Sequence, residues 1–257
     1  VSPAGGRGGR RTGALSRVTR GLGALLLALV VGSISQVLLL RFVDPPLTLT
    51  MLDRAVEATR ASNRPSWPRH ESLDRDELGE AVARAAVSSE DARFFFHSGF
   101  DWEGVCKALD NNEAGHRIRG GSTITQQVAR NVFLWQERSW LRKGLETWYT
   151  VWLELLLPKD RILEVYLNIA ETGKMTFGME AGALRYFRKP ARSLSPDQAA
   201  RLASMLPAPR SWSINGDTVS ERAAWIQAHP APFPDDRGFE AQRAAWAERA
   251  LGPWDCL

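Results

Sequence analysis

The chain has 257 residues, 44% hydrophobic and 24% charged, which is enough for one well-buried domain of roughly 200 residues beyond a tail and an apolar N-terminal stretch. Its formal charge of +4 is a tail effect: Arg7, Arg10, Arg11, Arg17 and Arg20 fall in the first 20 residues with no acid, leaving 28 Lys+Arg against 29 Asp+Glu, and this excludes a general nucleic-acid footprint on the folded part. The two cysteines, Cys106 and Cys256, have no CxxC or Cys/His spacing and so argue against a cysteine metal site; a disulfide and two free thiols both stay open.

Residues 1–20 are rich in Gly and Arg, a composition that predicts a disordered basic tail. Gly21 to Leu40 carries no charge and is bounded by Arg20 and Arg41; at about 1.5 Å per residue it spans about 30 Å, the hydrocarbon thickness of a bilayer. Ser33, Ser35 and Gln36 interrupt the run. The sequence after it, Arg-Phe-Val-Asp-Pro-Pro, lacks a small-residue cleavage site, which favours an uncleaved transmembrane anchor over a signal peptide. Five Arg before the segment against one directly after it predict a cytoplasmic N-terminus and a periplasmic remainder. The ten Trp suit a molecule that works where an apolar phase meets water.

Residues 41–75 read as a juxtamembrane linker, with a short helix over 53–61. From Asp76 the pattern is helical throughout, without strand–helix alternation, so the fold class is mainly α. Helices are predicted over 76–89, 101–113, 123–134, 139–157 and 159–170, and from Ser195 to just before Pro207. Thr123 to Gln126 and Ser195 to Gln198 fit capping boxes. In 139–157, Leu141, Leu145, Trp148, Trp152 and Leu155 form an apolar stripe; in the next helix Ile162, Val165 and Tyr166 do. The proposed division is 1–20 tail, 21–40 transmembrane helix, 41–75 linker, 76–210 main helical domain and 211–257 helical extension.

Four constellations could carry chemistry. In Ser89-Glu90-Asp91 followed by Phe94-Phe95-Phe96-His97, a carboxylate beside aromatic rings is desolvated and suited to proton transfer; Glu90 or Asp91 as a plain helix cap, and His97 as a structural hydrogen-bonder, are the simpler readings. Arg119-Gly120-Gly121-Ser122-Thr123 leads into a helix N-terminus, a geometry that suits phosphate, with Gln126, Gln127 and Arg130 sharing one face. Arg138, Arg142 and Glu146 repeat at i, i+4 and i+8 opposite the Leu/Trp stripe, with Lys143 beside them: cations for a pyrophosphate and a second acid, or else a solvated ion pair. In Lys159 to Asn168, Glu164 and Asn168 read as structural.

In this order the four strings resemble the glycosyltransferase family shared by monofunctional biosynthetic transglycosylases and the N-terminal domains of class A penicillin-binding proteins. The match runs from about residue 80 to 207 and includes Phe177 to Phe187 with Lys189-Pro190. The resemblance implies a lysozyme-like helical head with a smaller membrane-proximal lobe, and a peptidoglycan glycosyltransferase that polymerises lipid II into linear β-1,4 glycan with release of the polyprenyl diphosphate. It places Glu90 at the general base and Glu146 at the second essential carboxylate. It puts Arg130 and Arg138 on the donor pyrophosphate, with Arg142 and Lys143 in the same cationic row, and Ser122, Gln126 and Gln127 along the cleft. Relatives usually carry Lys where this chain has Arg130, a planar fork in place of a point charge. The segment from about 209 to 257 follows no pattern of the family that could be transferred.

The expectations are an enzyme of the inner membrane, single-pass, with a periplasmic catalytic domain. Its partners would be lipid II, the nascent glycan, the bilayer and other cell-wall or division proteins, with no nucleic acid. No cofactor is required, although pyrophosphate chemistry makes Mg²⁺ or Mn²⁺ a candidate. Two other readings are a lysozyme-like lytic muramidase, which has no need of cations on a phosphate, and a non-catalytic membrane-tethered scaffold. No Lys has Ser three positions before it, and neither Ser-Asp-Asn nor Lys-Thr-Gly occurs, so no transpeptidase activity is expected.

Overall fold

A computed structural model describes residues 9–104 and 121–250, with side chains over 19–104 and 121–247. Cys106, Cys256, the Arg119-Gly120 pair and most of the helix predicted over 101–113 lie outside the described residues. The architecture is mainly helical, as the periodicity requires.

Helix α1 (Gly9–Leu40) begins well before the apolar boundary, so residues 9–20, predicted as disordered tail, are helical. Propagation costs little once a nucleus exists, and Arg, Ala and Leu are good helix formers. Its stretch Thr19–Leu40 has mean hydropathy 2.3 over its best window and is long and apolar enough to cross a membrane. Helix α2 (Leu49–Ser62) is longer than the 53–61 predicted, because the Thr48 side chain accepts the Met51 N–H and caps an extra turn. Met51 is fully buried, so this part of the supposed linker belongs to the core.

The helix predicted over 76–89 is two, α3 (Arg75–Leu78) and α4 (Glu80–Glu90). They meet at Gly79, whose φ is +85° and whose Cβ, were there one, would lie 2.7 Å from the Arg192 Cα. Helices α5 (Ile124–Phe133), α6 (Trp140–Leu156) and α7 (Lys159–Ile169) follow. Helix α7 is the centre of the core: Ile162, Leu163, Val165, Tyr166, Leu167 and Ile169 are all fully buried, a wider face than the three-residue stripe read from the sequence. Asn168 receives the Leu73 N–H at 3.1 Å and donates to the Leu73 carbonyl at 2.9 Å, and Glu164 accepts the Arg75 N–H, so both are structural.

A three-stranded sheet, missed in the sequence because no strand exceeds three residues, joins β1 (Arg69–His70), β3 (Thr176–Phe177) and β2 (Glu171–Gly173) in that order. The pair β1–β3 is parallel and β2–β3 antiparallel. Helix α8 (Met179–Phe187) starts at Gly178, whose φ of +87° and approach to the Asn168 carbonyl leave no room for a side chain. A 3₁₀ turn (Ala191–Ser193), α9 (Pro196–Ser204), α10 (Asp217–Ala228) and α11 (Phe239–Ala250) complete the described chain. Helix α10 packs on α4 and α9 through Ala223 and Ile226, which join the main core.

Helix α6 keeps the two opposed faces read from the sequence but buries the polar one. Its buried residues are Arg142, Glu146, Thr150 and Leu153, whereas Leu141, Trp148 and Leu155 are exposed. The apolar stripe turns outward, partly onto α1: Trp148 Nε1 donates to Ser33 Oγ at 3.0 Å and the Tyr149 hydroxyl to Gln36 Oε1 at 2.7 Å. Two of the polar interruptions in the apolar run, Ser33 and Gln36, are therefore docking points for the head.

Candidate active site

Glu90 is the last residue of α4, where the chain turns out of the helix at Asp91. The turn is fixed by a buried network: His97 Nε2 lies 3.0 Å from Asp91 Oδ1, and Asp91 Oδ2 accepts the Ile124 N–H at 3.0 Å. Asp91 thus ties the end of α4 to the first turn of α5, and His97 is a structural partner. The aromatic run desolvates Glu90 less directly than the sequence suggested. Phe95 and Phe96 turn away to Phe233 and Phe239.

The Glu90 side chain is only 12% exposed. Gln127 Nε2 donates to its Oε2 at 3.1 Å, and the Tyr166 hydroxyl, 3.4 Å from Gln127 Oε1, holds that amide with its NH₂ toward the carboxylate. The Ser89 hydroxyl donates to Oε1 at 3.1 Å. From α10, Arg222 Nη2 donates to Ser89 Oγ at 3.1 Å and stands 4.0 Å from Glu90 Oε1. Burial pushes the Glu90 carboxyl above its ordinary value; the bonds from Gln127 and Ser89 and the Arg222 charge pull it back, while Asp91 adds to the rise. Burial, then the Glu90 charge, holds the Tyr166 hydroxyl well above its ordinary value, so it remains a donor.

A second cluster lies along α5 and α6. Glu146 is 1% exposed; Lys143 Nζ bonds its Oε1 and Arg142 Nη1 lies 3.7 Å from Oε2. Arg130 on α5 lies in the field of both this cluster and Glu90. Burial draws its guanidinium below the ordinary value, the charges of Glu146 and Glu90 support it, and Arg142 opposes it. The site is therefore two carboxylates joined through the field of one guanidinium, with two further cations on the Glu146 side.

The remaining predicted residues are less closely drawn in. Gln126 is buried and its Oε1 accepts the Thr123 N–H at 3.0 Å, so the capping box read from the sequence occupies it. Ser122 is half-buried directly before the α5 N-cap. Arg138 is exposed and precedes the α6 N-cap Ser139, so the i, i+4, i+8 face begins only at Arg142. Arg222 went unrecognised: Arg222-Ala-Ala-Trp225 recurs as Arg243-Ala-Ala-Trp246, and nothing in the sequence alone connects it to Glu90, 132 residues earlier. Among the described residues, no group of three or more His, Cys, Asp or Glu could hold a metal ion. A cavity of about 430 Å³ between β1 and α8, lined by residues such as Arg69, His70 and Arg185, includes none of the predicted site residues.

Comparison with known proteins gives the family of the chain. A family model described as Transglycosylase matches residues 57–230. A biosynthetic peptidoglycan transglycosylase of Xanthomonas axonopodis pv. citri is 46% identical over 213 residues, covering 82% of this chain and 87% of the relative. One of Xanthomonas euvesicatoria pv. vesicatoria is 47% identical over 218 residues (82% and 86%), and one of Xylella fastidiosa is 45% identical over 205 (79% and 84%). With a matching model over more than half its length and relatives this similar along most of theirs, the chain belongs to the transglycosylase family.

Proposed function

We propose that the protein polymerises lipid II into linear β-1,4 peptidoglycan chains, releasing the polyprenyl diphosphate. The observation that carries this reading is the charge environment of Arg130, which feels both Glu90 and Glu146, the latter buried with Arg142 and bonded by the exposed Lys143. Glu90, raised by burial, takes the proton from the acceptor sugar's 4-hydroxyl as that oxygen attacks the donor's anomeric carbon. The bond from that carbon to the diphosphate breaks, and its electron pair leaves with the lipid diphosphate. Arg130, Arg142 and Lys143 stabilise the charge that develops on it, and Arg138 adds a cation at the approach to α6. Ser122, Gln126 and Gln127 line the cleft, as the resemblance implies. The chain's own cations supply this charge stabilisation without a cofactor, and a divalent cation arriving on the diphosphate would add to it.

Thr19–Leu40 anchors the enzyme in the bacterial inner membrane, with the arginine-rich N-terminus cytoplasmic and the head periplasmic, where its lipid-linked substrate is concentrated in two dimensions. The chain lacks the Ser-x-x-Lys, Ser-Asp-Asn and Lys-Thr-Gly strings, which supports a single activity without transpeptidation and no covalent labelling by penicillin.

The test is incubation of the purified full chain with labelled lipid II. Polymer is expected from the wild type, and Glu90→Gln should lower the rate by at least about 100-fold while leaving the circular dichroism spectrum unchanged. Unaltered polymerisation by that variant would overturn Glu90 as base, and clearing of purified sacculi in place of polymer would return the lytic reading.

A further inference from the structure

Glu90 is held from two directions, by α5 and α7 on one side and by its own turn and α10 on the other. Gln127 and Tyr166 secure Oε2 from α5 and α7. On the Oε1 side stand Ser89 and, from α10, Arg222. We infer that Arg222 is a positioning residue for Glu90: it fixes the Ser89 hydroxyl and sets its own charge against Oε1, so that the segment after residue 209 completes the active site.

Three observations support this. First, the Ser89 hydroxyl has its own outlets, the Ala203 carbonyl at 3.3 Å and Glu90 Oε1 at 3.1 Å, and the Arg222 N–H arriving at 3.1 Å occupies its acceptor side, leaving its hydrogen for those two. Second, Arg222 is built into place. Its guanidinium carbon lies 5.7 Å from the Trp212 ring centre, and its neighbours Ala223 and Ile226 are buried in the core. Third, Arg222 is a costly way merely to fill space. Its Nε is buried without an acceptor, and among the described residues its ion pair is with Glu90. An apolar side chain would pack against Trp212 without that penalty.

Among the described residues, the other charged or titratable groups around Glu90 are Asp91 on its own turn, Arg130 on α5 and Tyr166 on α7. Asp91 opposes ionisation of Glu90. Arg130 favours it and also faces the Glu146 cluster. Arg222 is therefore the cation given over to Glu90, and its removal should be felt where Glu90 must be charged.

The inference rests on Glu90 acting as base, so the experiment separates the two. Lipid II polymerisation is followed against pH for the full-length wild type, Arg222→Gln, Arg222→Lys and Glu90→Gln in the same micelles. Arg222→Gln should move the acid limb of kcat/KM up by about one pH unit, a tenfold lower rate on the acid side, with the rate recovering at high pH. Arg222→Lys should bring the limb most of the way back. A uniform fall at every pH, partial or complete, or a raised KM with an unmoved limb, would overturn the inference and make Arg222 a structural or substrate contact. If Glu90→Gln remains active, the base assignment itself fails, whatever the Arg222 variants do.

Discussion

The Glu90 carboxyl is raised by burial, and this couples the site to stability as well as to chemistry. A carboxyl with a higher pKa in the folded state than in the unfolded chain holds its proton in the native form over a range where the unfolded form has already released it. Stability therefore falls as pH rises through that range, starting from the ordinary glutamate value of 4.5. On the proposed reading, the ionised carboxylate is a cost that the fold carries for function. Glu90→Gln keeps an oxygen for the Gln127 donor and removes the charge. It should therefore melt above the wild type at neutral pH and lose that advantage as pH is lowered below 4.5. Thermal melts of the two proteins across pH would check the sign, and a variant that melts lower at neutral pH would show that the charged carboxylate is a net stabiliser.

At the scale of elements, the periodic signal located the helices and misjudged what their faces meet. The capping boxes at Thr123 and Ser195 are where the sequence put them, since a cap is a contact within four residues. The break at Gly79 depends on Arg192, and the pairing of β1 with β3 spans more than 100 residues, so neither could be read locally. Helix α6 shows the limit most clearly. An apolar stripe says which face avoids water, not which face is the protein interior, and here the interior takes Arg142 and Glu146 while the stripe faces α1 and the outside. The same nonlocality hides the junction of α1 with the head. Arg161 Nε donates to the Leu40 carbonyl at 3.0 Å, its Nη2 lies 2.7 Å from Asp44, and it also bonds Glu164. It thus closes the C-terminal end of α1 from a helix about 120 residues away. Arg161→Met should leave an open carbonyl and two half-buried acids without their cation, a loss of about 2–3 kcal/mol. That corresponds to a melting point lower by about 5–10 °C in micelles, and a change below 1 °C would mean that α1 is only loosely tethered.

For the molecule as a whole, the outward stripe and the apolar helix share one side. Trp140 is 92% exposed, Leu141 69% and Leu155 68%, a concentration of large apolar side chains that water alone does not favour. Trp148 and Tyr149 bond to Ser33 and Gln36, within the stretch long and apolar enough to cross a membrane, so α6 lies against α1 at that depth. Its buried opposite face carries the Arg142–Glu146 pair. On the proposed reading, one helix then has lipid on one side and the lipid's diphosphate on the other, and the depth of α6 sets the height of the cations over the bilayer. Replacing Trp140 and Leu141 together by Ser removes apolar area worth about 1.5–3 kcal/mol per fully inserted side chain. Because α1 still anchors the chain, the double variant should remain in liposomes. Its head, however, should ride higher, and polymerisation of lipid II in bilayers should fall at least about tenfold. In micelles, which adapt their shape to the protein, the same variant should keep most of its rate. An equal loss in both settings would place the effect in the fold of α6, and no loss in bilayers would show that α1 alone sets the working height.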